Sequence, residues 1–74
     1  MDETRVDRPR IVIWGVMPGD PPFRVVQIGE TVVGNAHGLT DVIEIAWREG
    51  MHHVDVDDPS VVRWVGGDKY TWAP

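Results

Sequence analysis

Hydrophobic and polar positions divide the 74-residue chain into stretches of different period. From about Arg10 to Met17, RIVIWGVM is dense in β-branched and aromatic residues and lies between Pro9 and Pro18, which predicts a strand. GDPP supplies turn residues, and FRVVQI, Phe23 to Ile28, has the same strand character. Gly29-Glu30 then offers glycine at the first central position of a two-residue hairpin turn, as type II′ prefers. With TVVGNA, Thr31 to Ala36, the three runs make an antiparallel meander.

The period changes in GLTDVIEIAWREG. Leu39, Val42, Ile43, Ala46 and Trp47 recur at helical spacing, so an amphipathic helix is expected from about Leu39 to Glu49. Asp41, Glu44 and Arg48 fall on the other side, with Glu44 and Arg48 in the favourable i,i+4 order. Thr40 or Asp41 is expected to cap the start, Asp41 and Glu44 having capping-box spacing, and Gly50 stands where a left-handed C′ residue belongs. Ile45 falls among the charges, where it either widens the buried stripe or offers a contact to a partner.

In MHHVDVDD, residues 51 to 58, Val54 and Val56 alternate with His53, Asp55 and Asp57, the period of a half-buried strand. The same alternation would place His53, Asp55 and Asp57 on one side, a mixed nitrogen and oxygen set one ligand short of a closed zinc site. The solvated strand is the simpler reading. A calcium loop beginning at Asp55 fails, because Ser60 and Gly66 occupy the positions that need glycine and glutamate. In the last segment, Val61 to Val65 is read as a strand pairing back on Val54 to Val56, with KYTW running alongside. A two-turn helix framed by Asp58, Pro59 and Gly66 is the alternative.

The expected fold class is therefore α+β, a small single domain over residues 9–74 behind a flexible segment 1–8, in the order β-β-β-α-β or β-β-β-α-β-β. A chain this short buries only about 60% of its unfolded surface, which leaves little room for a large catalytic cleft. It has no cysteine, four tryptophans, and only one phenylalanine and one tyrosine, so tryptophan gives the core its bulk or anchors an interface.

The net charge of −5 argues against nucleic-acid phosphates as partners, and the meander offers only Arg10 and Arg24 for such contacts. A nucleic-acid-binding module using the three-stranded sheet stays as the alternative function. No run approaches the length of a membrane span and the N-terminal residues are not a signal peptide, so a cytoplasmic location is expected. Ser60, the only serine, lacks a glycine-flanked elbow, the glycines at 29, 34 and 38 do not follow the dinucleotide fingerprint, and His37 and His52 read as solvent-facing. No cofactor and no catalytic residue are predicted.

What remains is apolar surface. The first strand carries Ile11, Ile13 and Met17 on one side and Val12, Trp14 and Val16 on the other, more than one helix covers. The second side is to be covered by the segment with Trp64 and Trp72, by a second copy, or by another protein. The sequence thus points to a small acidic, non-catalytic interaction module, accessory or regulatory, with Trp14, Val12, Val16, Trp64, Trp72 and Ile45 as candidate contacts to a protein partner or to itself.

Overall fold

A computed structural model describes residues 10–74; the segment 1–8 expected to be flexible lies outside them. Three antiparallel strands, β1 (Ile11–Met17), β2 (Phe23–Ile28) and β3 (Thr31–Ala36), are followed by helix α1 (Leu39–Arg48) and a further strand β4 (Val62–Trp64). This is the expected α+β order with one terminal strand. Gly29 has a φ of 61° while among the described residues no residue other than glycine has a positive φ, as a type II′ β2–β3 turn requires.

The sheet order is β3-β2-β1-β4, and β4 runs parallel to β1, with Val62 beside Ile11 and Trp64 beside Ile13. The expected hairpin with Val54 to Val56 does not form, and residues 53–57 are loop. Their aspartates turn the backbone on itself: Asp57 N–H donates to Asp55 Oδ1, Asp58 N–H to Asp55 O, and Ser60 N–H to Asp58 Oδ1. Short acidic side chains compete in this way with ladder bonds. Beside β1, Val62 joins the buried row at 2% exposure.

One face of the sheet carries the core. Ile11, Ile13, Val26, Ala36 and Val62 pack against Val42, Ile45 and Ala46 of α1. Ile45 is therefore a core residue, 3% exposed, and not the outward partner contact allowed by the sequence. The reason lies in β3: a Cβ on Gly34 would stand 3.2 Å from Ile45 Cδ1, so the missing side chain admits Ile45 against the strand. That close approach rotates the helix, leaving Ile43 and Trp47 exposed where the periodicity placed them inward.

Helix α1 starts at Gly38, which is extended and provides no side-chain cap. Asp41 is instead the residue that reaches back, its Oδ2 accepting from His37 N–H at 2.9 Å, so neither Thr40 nor an Asp41–Glu44 box caps the start. The other end follows the expectation. Gly50 has a φ of 88°, its N–H donates to Trp47 O, and Met51 N–H donates to Ala46 O, the paired bonds of a Schellman motif.

A bulge in β1 decides which residues share a face. Ile13 pairs with Val26 and Val16 with Arg24, so Trp14 and Gly15 together oppose Val25. Paired residues share a face. Val16 is thereby shifted to the core side, beside Arg24, and Met17 takes its place next to Phe23 on the side of Val12 and Trp14.

Candidate interaction surface

The side of the sheet away from α1 is built in cross-strand rows that the register specifies. Val32, Gln27, Val12 and Arg63 form one row; Asn35, Val25 and Trp14 the next; Phe23 and Met17 a third. Trp14 is 42% exposed, Met17 46% and Val32 61%, and no described element lies over them. Scattered apolar residues on a surface are ordinary, but here they stand contiguous on one sheet face.

The polar groups at the centre of this face are already satisfied. Trp14 Nε1 donates to Gln27 Oε1 at 3.0 Å, and Gln27 Nε2 donates to Gly29 O at 2.9 Å. Covering the Trp14 indole therefore strands no donor, and Gln27 keeps one hydrogen bond at each end of its amide, which lowers the cost of a dry interface.

Trp64 and Trp72 do not cover this face. They lie on the core side, half-buried, with rings edge to face at 6.3 Å between centroids. Their indole nitrogens donate inside the molecule, Trp64 Nε1 to Val56 O and Trp72 Nε1 to Lys69 O. Between them stands Arg24, completely buried, its guanidinium carbon 5.3 Å from the Trp64 ring centroid and 5.4 Å from that of Trp72. Its Nε donates to Trp14 O, Nη1 to Asp68 O and Thr71 O, and Nη2 to Val65 O and Gly67 O, at 2.7 to 3.0 Å. All five donors of the guanidinium are used. Burial lowers the Arg24 pKa from its ordinary value, and nearby Asp68 partly restores it. Arg24 is thus a structural clamp and not available to a phosphate, which leaves Arg10 as the meander's only exposed arginine.

Beside β4 lies an open groove of about 700 Å³ lined by Val56, Pro59, Val62, Trp64 and Tyr70 among others. Lys69 and Asp57, which also line it, form an ion pair. Asp57 is thereby engaged, Asp55 is bonded to the backbone of Asp57, and among the described residues no three His, Cys, Asp or Glu side chains converge as a metal site would need. His53 stays exposed apart from them. On the helix exterior, Trp47 is covered on one ring face by His52, stacked at 4.0 Å, and His37 packs edge-on against Phe23. Among the described residues no helix is long and apolar enough to cross a membrane.

Of the sequence-predicted contacts, Trp14 and Val12 share the open face, Val16 and Ile45 have moved to the core side, and Trp64 and Trp72 pack around Arg24. Val25, Val32, Phe23 and Met17 complete the surface unannounced. The signal for Phe23 and Val25 was the strand alternation of β2, whereas Val32 depended on a register shift that leaves Val33 unpaired in β3. Met17 depended on the bulge. Compared with protein-family models, curated proteins and solved structures, the chain matches none of them.

Proposed function

We propose that the protein is a non-catalytic protein-interaction module, accessory or regulatory, that docks through the outer face of its sheet with Trp14 as the anchor. One observation carries the reading: an apolar face on β1, β2 and β3 lies uncovered while its central indole and amide are bonded to each other within the chain. A large, rigid indole in the middle of such a face is the usual form of an interface hot spot.

Site-specific photo-crosslinking tests it. A benzophenone amino acid at position 32, on the face, is expected to give discrete protein adducts in cells. The same probe at position 43, on the helix exterior, gives none of them, and Trp14→Glu abolishes them while circular dichroism stays native. Equal crosslinking from both positions, or adducts indifferent to Trp14→Glu, would remove the face from consideration.

A further inference from the structure

We infer that the occupant of the outer face is a second copy of this chain, related by a two-fold axis that runs along the strands between β1 and β2. The inference rests on the docking role of that face and names its partner.

Such an axis exchanges β1 with β2 and β4 with β3, so each cross-strand row meets itself reversed. Val12 then lies over Gln27 of the copy, Trp14 over its Val25 and Met17 over its Phe23. Trp14 and Val25, and Met17 and Phe23, meet as apolar pairs, while Val12 meets Gln27 and Val32 meets the stem of Arg63; the Gln27 amide keeps one hydrogen bond at its oxygen and one at its nitrogen within its own chain. Two twisted sheets packed in this way form an aligned sandwich about 10 Å thick. An interface of this kind is isologous, each contact occurring twice.

Charge at the rim selects the same axis. Arg63 ends the first row on the β4 edge, and Arg10 precedes Val12 by two residues, hence on the same side of the strand. Glu30 stands in the β2–β3 turn at that same end, where Gly29 N–H donates to Arg10 O. Both cations thus belong to the β1–β4 half of the face and the anion to the β2–β3 half. Among the described residues none of the three has an ion-pair partner. Exchange of halves brings Glu30 of each copy against Arg10 and Arg63 of the other. A two-fold axis across the strands would send Glu30 to the far end of the sheet, toward Asp20, where like charges repel. The overall charge of −5 works against association of identical chains, so opposite charges placed to meet at the rim matter for register.

Sedimentation equilibrium of the full chain over a wide concentration range is the deciding measurement. A monomer–dimer equilibrium is expected, lost in Trp14→Glu and in Met17→Glu while both variants keep the native thermal transition. Arg63→Glu and Glu30→Arg should each weaken the dimer by about five- to thirty-fold, since two exposed pairs turn repulsive. The double variant Arg63→Glu/Glu30→Arg should bind more tightly than either single variant, recovering part of the loss while Arg10 still meets the introduced cation. A wild-type chain that stays monomeric at every concentration overturns the second copy as occupant; Trp14-dependent crosslinks at position 32 would then still uphold docking to a different protein. A dimer that survives Trp14→Glu overturns the face itself, and a double variant no tighter than the singles overturns the axis.

Discussion

Arg24 donates five hydrogen bonds to carbonyls from β1 and from residues 65–71 while two indoles flank its guanidinium. The planar fork is what makes this arrangement work, because its five N–H vectors diverge in one plane and its two faces are free to stack. Lysine has three donors and no plane. Arg24→Lys is accordingly expected to lower unfolding stability by about 2–5 kcal/mol, with loss of the near-ultraviolet dichroism of the Trp64–Trp72 pair. Urea unfolding monitored by tryptophan fluorescence measures it, and a change below about 0.5 kcal/mol would mean the clamp contributes nothing beyond an ordinary surface residue. The sequence held half of this. In FRVVQI, Arg24 shares its phase with Val26 and Ile28, which places an arginine on the core side of a strand. That its acceptors would be the carbonyls of a glycine-containing turn more than forty residues away could not be read from spacing.

At the level of elements, strand and helix boundaries followed the hydrophobic periods closely, while the rotation of α1 did not. Leu39, Val42 and Ala46 belong to a buried stripe under either of two phases, one completed by Ile43 and Trp47 and the other by Ile45. The choice falls to Gly34, which makes room for Ile45 against β3. Ile45→Ala should therefore cost about 2–5 kcal/mol and Ile43→Ala within about 0.5 kcal/mol, as cavity formation and surface truncation respectively dictate. Chemical denaturation of the two variants compares them directly, and a larger loss in Ile43→Ala than in Ile45→Ala would mean the helix sits in the other phase. The bulge was invisible for a different reason: WG between Ile13 and Val16 fits an unbroken alternation, and only the pairing of Val16 with Arg24 reveals the extra residue. Residues 53–57 alternate as a strand would, yet they join no ladder, and their aspartates bond locally instead.

For the molecule as a whole, two carboxylates that hold turns contribute to stability toward acid. Hydrogen bonds from Tyr70 N–H and then the Thr71 hydroxyl keep Asp68 below its ordinary pKa, and the Ser60 hydroxyl followed by the Ser60 N–H does the same for Asp58. A carboxyl that binds its proton more weakly folded than unfolded stabilises the native state fully above its unfolded value. The contribution is lost as pH falls through the lower native value. Melting temperatures should thus stay level toward acid until about pH 4 and then fall, with a shallower fall in Asp68→Asn. An unaltered acid slope in that variant would assign the loss to other groups. Lys69, raised first by its bond to Asp57, acts at the opposite limit: its contribution is complete below its unfolded pKa and is lost as alkali titrates it in the native state.

The clamp around Arg24 also orders events in time. Its acceptors lie 10 residues away at Trp14 but 41 to 47 residues away at Val65, Gly67, Asp68 and Thr71. Until that distant segment arrives, the guanidinium has to remain hydrated, and the end of β2 that carries it cannot be dehydrated with the rest of the core. The meander, though its turns are short and its contacts local, is thus prevented from settling early into a dry intermediate. Assembly becomes a single concerted event whose entropic barrier is the closure of one long loop.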